Sequence, residues 1–236
     1  MWVMKMRTVE RLRMAEPETL ETLIEQLELT NPAEATALLD FVKNSGSSIL
    51  KSTALQRVAE QGIASGCWNK IVEFLEDPDP TVRVDAIEAL EDARNPNVLL
   101  RLTVSALADH SWLVRGWATA ALGESGEAAL KPLLWKIVRT DRSAFVRLNG
   151  WYALVWLGDE EAYNQMLRFL KHPYYRLRIA ACNLILRLYD SGRLDPQKIT
   201  ETLDIIGRLI EDENIISVND VMNKCLCALR IQSEIV

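Results

Sequence analysis

Residues 141–154 read DRSAFVRLNGWYAL, and two earlier stretches of the chain follow the same pattern. Residues 109–122 read DHSWLVRGWATAAL, and residues 77–90 read DPDPTVRVDAIEAL. Each stretch begins with aspartate, places an arginine six residues later and ends on Ala-Leu, and the three arginines lie at intervals of 32 residues. A sequence period of this length is typical of a helical repeat protein.

The spacing inside each copy predicts an amphipathic helix. An α-helix turns by about 100° per residue, so the residue before the arginine and those three, six and seven places after it share one face. In the copy around Arg115 these residues are Val114, Ala118, Ala121 and Leu122. We expect this face to be buried, and its small residues to allow a second helix to approach closely.

The repeat pattern extends in both directions and sets the expected organisation. A looser copy lies around Arg178, and helix pairs are predicted at about 67–76 with 80–92, 96–108 with 111–123, 126–139 with 143–157 and 160–171 with 174–189. Two last helices are predicted at about 197–211 and 217–230. We expect a single repeat domain over residues 1–236, with an N-terminal cap at 1–30, repeats at 31–189 and a C-terminal capping repeat at 190–236.

Composition restricts the classes of function. The formal net charge is −6 and the isoelectric point is about 5.2, so the protein is acidic overall and we do not expect nucleic acid as a partner. Residues 1–6 form too short an apolar run for a signal peptide, and no stretch approaches the roughly 18 apolar residues of a membrane span. We therefore expect a cytoplasmic protein without a membrane segment.

The four cysteines are interpreted as reduced structural thiols rather than as ligands. Cys225 and Cys227 are two residues apart on a predicted helix, so they do not share a face, and no histidine lies near them. We predict no metal site and no cofactor.

The repeat arginines lie within the predicted buried face, where an unpaired charge is costly. The aspartate six residues earlier falls in the turn between the paired helices, where it can cap the second helix or pair with an arginine. We predict a structural arrangement of these residues, called here the arginine ladder. Its predicted members are Asp77, Arg83, Asp109, Arg115, Asp141, Arg147 and Arg178.

On these residues the chain resembles the HEAT-repeat family, and more narrowly the HEAT-like repeats of phycobilin lyase subunits and of many bacterial proteins. The resemblance rests on Val82-Arg83, Val114-Arg115, Val146-Arg147 and Leu177-Arg178, with the small residues that follow them. It implies an all-α fold, a right-handed α-α superhelix or armadillo-like solenoid of about six helical hairpins, in which the second helices line the concave side. A fold of this kind does not by itself define a function.

In such solenoids partners bind on the concave surface. Helical arithmetic predicts that positions two, five and nine after the repeat arginine face that surface. The candidate partner-binding residues at these positions are Asp85, Glu88, Asp92, Trp117, Glu124, Asn149, Tyr152, Trp156, Asn183 and Arg187. The acidic members would attract a basic segment of a protein or peptide, and the aromatic members would anchor it.

Two interpretations of the aromatic positions remain open at this stage. Trp117, Tyr152 and Trp156 either face the groove as anchors or pack against neighbouring helices. Trp112, Tyr174 and Tyr175 fall in predicted turns between helices, where we expect exposure.

Enzymatic functions find little support in the sequence. The two histidines, His110 and His172, are followed by Ser111 and Pro173, so the His-Glu pairs of HEAT-type di-iron hydroxylases are absent. We therefore predict no catalytic residues and a non-enzymatic protein-binding scaffold or adaptor. The alternative is a subunit like those of phycobilin lyases, or a chaperone, that binds a chromophore or client. A HEAT-like DNA glycosylase is a weaker third reading because the chain is acidic.

Overall fold

The computed structural model describes residues 10–91 and 93–233. Within these ranges the secondary structure is helical and contains no β-strand. The chain divides into two compact units, residues 1–127 and residues 128–236, and each is described by itself.

Unit 1 is built from helices that begin at predictable signals. A 3-10 turn at Pro17–Thr19 leads into α1 (Leu20–Glu25), followed by α2 (Pro32–Lys43), α3 (Ser48–Glu60), a 3-10 turn at Ala64–Gly66, α4 (Trp68–Ile71) with its 3-10 continuation Val72–Glu76, α5 (Pro80–Glu88), α6 (Pro96–Ala108) and α7 (Trp112–Glu124). Proline in the first turn follows a capping Asn31, Asp79 or Asn95, whose side chain accepts a backbone N–H of that turn. This combination starts a helix because the cap replaces a missing intrahelical partner and proline needs none.

Unit 2 continues the same plan. A 3-10 turn at Ala128–Leu130 precedes α8 (Lys131–Thr140), followed by α9 (Ala144–Trp156), α10 (Ala162–Leu167) with its 3-10 continuation Arg168–Lys171, α11 (Tyr175–Asp190), α12 (Pro196–Ile210) and α13 (Ile216–Ser233). Asp195 caps α12 through Lys198 N, again ahead of a proline.

The helices of the described residues pair into six hairpins, as predicted. The second helices pack side by side, α3 with α5 and α5 with α7 in unit 1, and α9 with α11 and α11 with α13 in unit 2. The first helix of each hairpin packs on its own second helix. The all-α, HEAT-like class predicted from the sequence is therefore confirmed, whereas the single domain with caps at 1–30 and 190–236 stays a prediction.

The predicted buried face is also confirmed. Val82, Val114 and Val146 are fully buried, and the small and leucine positions that follow them in each copy are buried as well. Helices cross closely there because alanine or glycine leaves room for the neighbouring backbone.

Four glycines explain where second helices stop. Gly62, Gly126, Gly158 and Gly192 each lie two residues after the end of a second helix and have φ between 64° and 75°. Glycine adopts this left-handed conformation without steric cost, which closes the helix. After α5 the corresponding position of the repeat is Arg94 instead of glycine. The helix α5 ends at Glu88, whereas the sequence predicted an end near residue 92.

Within the described ranges, no helix is long and apolar enough to cross a membrane. Cys67, Cys182 and Cys225 are buried free thiols, as expected for structural cysteines, whereas Cys227 is exposed.

Candidate functional site

The arginine ladder contains one complete pair within unit 1. Arg83 donates through Nε and Nη2 to the two carboxylate oxygens of Asp109, each at 2.8 Å. Its third nitrogen, Nη1, donates to the backbone oxygen of Asp77 at 2.8 Å. The two side chains are only 13% and 10% exposed, so this charge-assisted pair is largely shielded from water. One guanidinium therefore holds its own turn and the carboxylate of the next repeat.

The ladder aspartates also cap the turns in which they lie. Asp77 Oδ1 accepts the N–H of Asp79 at 3.0 Å, and Asp109 Oδ1 accepts the N–H of Ser111 at 2.8 Å. In unit 2, Asp141 Oδ1 accepts the N–H of Ser143 at 2.8 Å. Each predicted aspartate thus fixes the start of a second helix.

The other ladder residues differ in what they contact. Asp77 pairs with Lys51 Nζ at 2.7 Å instead of with an arginine side chain, and Lys51 lies 32 residues before Arg83. Arg115 donates to the backbone oxygen of Asp109 at 2.9 Å. The stabilising role of the ladder as a whole stays a prediction.

In unit 2 the partner of Arg178 was not predicted. Arg178 Nε and Nη2 donate to both carboxylate oxygens of Glu213 at 2.9 and 3.0 Å. Burial alone would raise the pKa of Glu213, but the backbone N–H of Ile215 and the guanidinium of Arg178 outweigh burial and lower that pKa below its ordinary value. Glu213 follows a longer connection, so the 32-residue register does not point to it.

The acidic candidates of the second-helix face are mostly buried, which contradicts their predicted exposure. Asp85 is 6% exposed and accepts Gln56 Nε2 at 3.1 Å, while its Oδ2 atom has no hydrogen-bond partner among the described residues. Glu124 is 8% exposed, whereas Glu88 is half-buried. Asp92 lies outside the described residues. For Asp85 the helical arithmetic fails because α5 is packed between two other second helices.

Two unit 2 candidates are buried as well. Tyr152 is 0% exposed and Asn149 is 3% exposed, so the predicted exposure of both residues is wrong. Asn149 donates to the backbone oxygen of Phe145 at 2.9 Å. Both residues lie on α9, which packs on α8, α10 and α11.

The tryptophans remain partly accessible. Trp117 and Trp156 are half-buried, as is Arg187, and Asn183 is exposed. Arg193, from the connection after α11, places its Cζ atom 4.9 Å from the centroid of the Trp156 ring and thereby covers it. Trp156 is therefore packed by a chain element as well as by its neighbours, as the second interpretation of this position requires.

A surface that the sequence analysis missed lies on α6. Leu100, Val104 and Leu107 are 62%, 56% and 47% exposed and follow one another at helical spacing, so they form one apolar stripe. The sequence contains a signal for this surface, because α6 carries apolar residues on both of its faces, whereas a helix with one buried face needs them on one side only. Trp112 and Tyr174 are 52% and 51% exposed, as predicted. Tyr175 is half-buried and begins α11, so its predicted exposure in a turn is wrong.

An open cleft of about 580 Å³ adjoins the stripe at Leu100. Its wall includes Val72 and two ion pairs, Lys43 with Glu73 and Arg101 with Glu76. The cleft therefore combines apolar surface with charges of both signs.

Among the described residues, no cluster of three or more histidine, cysteine or acidic residues could hold a metal. Burial raises the pKa of the Cys67 thiol to about 11 and that of Cys225 to about 12, so neither is a thiolate near neutral pH.

Stacked helical hairpins with a recurring arginine define an α-helical repeat protein. A family model described as HEAT repeats matches residues 68–154 and 100–187, which together span about half of the chain. The chain belongs to the HEAT-repeat family.

A solved structure shows the same fold. The chain is similar to a chain in the complex of CpcE and CpcF of phycocyanin lyase from Nostoc sp. PCC7120, with 16% identity, a TM-score of 0.61 and coverage of 94% of this chain and 93% of that one. It is also similar to human deoxyhypusine hydroxylase in complex with glycerol, with 14% identity, a TM-score of 0.45 and coverage of 97% and 98%. A search of curated protein sequences finds no match.

Proposed function

We propose that this protein is a non-enzymatic scaffold that binds another protein. The observation that carries the proposal is the apolar stripe of α6. Three large aliphatic side chains, each about half exposed or more, lie in one row on a single helix. Scattered apolar residues are normal on protein surfaces, but an aligned group beside a cleft is typical of an interaction site.

The chemistry of this surface defines the partner. The stripe would bury apolar side chains of the partner, and the paired charges around the cleft would form the polar rim. Leu100 belongs to both the stripe and the cleft, so it would lie at the centre of the contact. The similar phycocyanin lyase structure is itself a complex of two proteins, which is consistent with a binding role for this fold.

The second-helix faces of the two units, each taken by itself, are the other candidate surfaces for a protein or peptide. Trp117 and Glu88 in unit 1 are half-buried and Asn183 in unit 2 is exposed, and a basic segment would approach Glu88. Since Tyr152 and Asp85 are buried, these faces offer less accessible aromatic and acidic surface than the sequence predicted.

A comparison of two charge substitutions tests the proposal. Leu100→Glu and Ile49→Glu introduce the same charge at residues that are 62% and 60% exposed, but only Leu100 belongs to the stripe. Partners are recovered from extracts of the native organism by affinity purification and quantified by mass spectrometry. We expect Leu100→Glu to lose a protein that the wild type and Ile49→Glu retain, by about tenfold or more. Equal recovery by all three would reject this surface.

A Trp156→Ala variant in the same experiment examines the second-helix face of unit 2. Loss of the same partner in this variant, with retention in Leu100→Glu, would move the binding site to that face.

A subunit that handles a bilin or a similar chromophore is the second candidate. It is supported by similarity in fold to a phycocyanin lyase chain over 94% of this protein. Addition of a bilin to the purified protein would shift the bilin absorbance spectrum under this proposal. An unchanged spectrum at micromolar protein would reject it.

A further inference from the structure

One position of the arginine ladder has an arginine but no acid. Arg147 Nη1 donates to the backbone oxygens of Asp141 and Arg142 at 2.9 and 3.1 Å, as the other ladder arginines do in their own turns. Its Nε and Nη2 atoms, which in Arg83 and Arg178 hold a carboxylate, have no carboxylate partner among the described residues. Arg147 is half-buried, so its unpaired charge is costly but still reachable from solvent.

His172 stands at the register position where an acid would serve Arg147. This residue lies six positions before Arg178, where the other turns carry aspartate. Its Nδ1 atom accepts the N–H of Tyr174 at 3.0 Å, which is the same capping bond that Asp109 makes to Ser111. The neutral ring therefore carries its proton on Nε2 and presents a donor there. A guanidinium is itself a donor and cannot pair with another donor. His172 therefore caps its turn through Tyr174 N–H but offers Arg147 no acceptor.

We propose that Arg147 binds a carboxylate of an acidic segment of a partner protein, in place of the acid that its own chain lacks. The complete pairs show what this position accepts, since Asp109 and Glu213 each bind an arginine through both carboxylate oxygens. Arginine and carboxylate match as planar groups with two parallel hydrogen bonds.

The charge around the position supports an acidic partner. Residues 131–178 contain nine lysines and arginines against four acidic residues, although the whole chain has a net charge of −6. Arg142, Lys171 and Arg176 are exposed in or beside the turns that precede α9 and α11. Tyr174 is 51% exposed next to them and offers an aromatic surface to the same segment. A peptide rich in aspartate or glutamate is complementary to this surface.

This site is separate from the α6 stripe. It lies in unit 2 and uses charge instead of apolar contact. Binding at Arg147 does not depend on whether a partner binds to α6. The two proposals therefore fail independently.

The test uses an acetylated, amidated and fluorescently labelled peptide of alternating glycine and aspartate, with an asparagine version as the control peptide. Binding to the full-length protein is measured by fluorescence anisotropy at low ionic strength. Arg147→Gln removes the proposed anchor, and Lys136→Gln removes one exposed positive charge elsewhere in unit 2. We expect a loss of about tenfold in affinity for Arg147→Gln and of about twofold or less for Lys136→Gln.

Two substitutions at His172 make the test specific. His172→Asp supplies the missing acid within the chain and should weaken peptide binding by about the same factor as Arg147→Gln. His172→Asn keeps an acceptor for Tyr174 N–H without a charge, so it should bind the aspartate peptide as the wild type does. The proposal is overturned if Arg147→Gln and Lys136→Gln behave alike, if His172→Asp binds as tightly as His172→Asn, or if the asparagine peptide binds equally well.

Discussion

Arg83 and Arg147 occupy the same position of their repeats, yet only Arg83 holds a carboxylate. Both donate through Nη1 to the backbone of the turn six residues before them. Arg83 then reaches Asp109, whereas the chain places His172 in the position that would serve Arg147. The comparison shows that the arginine has two separable tasks. The repeat arginines at positions 83, 115, 147 and 178 all donate to the backbone of their own turn. Arg147 differs because it holds no carboxylate of the next repeat among the described residues.

The largest effect is expected from the core beneath the unpaired arginine. Tyr152 is fully buried in α9, one turn and a half after Arg147. Tyr152→Ala removes a large aromatic side chain and should lower the free energy of unfolding by about 3–5 kcal/mol. Urea unfolding followed by circular dichroism measures this change. A stable Tyr152→Ala protein with weakened partner binding would instead restore Tyr152 as an exposed anchor.

Breaking the complete pair should be nearly as costly. Asp109→Ala leaves the Arg83 guanidinium largely buried without its acid and removes the cap on Ser111. We expect a loss of about 3 kcal/mol in the same unfolding experiment. Asp109→Asn serves as the control, because it keeps the capping acceptor and removes only the charge. An unchanged unfolding midpoint in Asp109→Ala would contradict a stabilising role for the pair.

Matched arginine substitutions compare the two positions directly. Arg83→Gln leaves the carboxylate of Asp109 without its guanidinium partner. It should lower the free energy of unfolding by about 2 kcal/mol, because the hydrogen bonds between two charged groups are lost. Arg147→Gln leaves no carboxylate without its partner and loses only hydrogen bonds to backbone oxygens. It should therefore lower the free energy of unfolding by about 1 kcal/mol or less. Equal costs would mean that Arg147 has an internal partner after all, and the contrast between the two positions would disappear.

Completing the pair should stabilise the protein slightly. His172→Asp offers Arg147 a carboxylate and should raise the melting temperature by about 2–4 °C, which corresponds to about 1 kcal/mol for a chain of this size. The effect should vanish when Arg147→Gln is added, which distinguishes a new pair from a better cap. A rise that persists in the double variant would contradict this explanation.

The smallest effect is expected for the pH dependence of stability that Glu213 contributes. The pKa of Glu213 lies below its ordinary value of 4.5 in the folded protein, because the hydrogen bond from Ile215 and the contact with Arg178 outweigh burial. A carboxyl group with a lowered folded pKa contributes stability above its unfolded pKa and loses it as the pH falls through the folded value. The stability difference between wild type and Glu213→Gln should therefore shrink between pH 5 and pH 3, as measured by urea unfolding. A difference independent of pH would show that Glu213 does not act through its charge.

Much of the fold follows from sequence because its signals are local and repeated. The Val-Arg spacing gives the buried face, and proline after Asn31, Asp79 or Asn95 gives the helix starts. The candidate site was harder to predict because exposure depends on how hairpins stack. A single helix cannot reveal that Tyr152 is fully buried or that Leu100 stays 62% exposed, and Glu213 lies outside the 32-residue period that locates the other pairs.

The bonds from each arginine to its own turn have a consequence for folding. In a stack of hairpins, stability is the sum of what each hairpin contributes and what each adjacent pair contributes. The Nη1 bonds belong to the first kind, and the carboxylate pairs belong to the second. We therefore expect the hairpin of α8 and α9 to be as well formed as the others but to be coupled more weakly to the hairpin of α10 and α11. Amide hydrogen exchange should show the segment after Gly158 opening as a group, with less loss of protection before it.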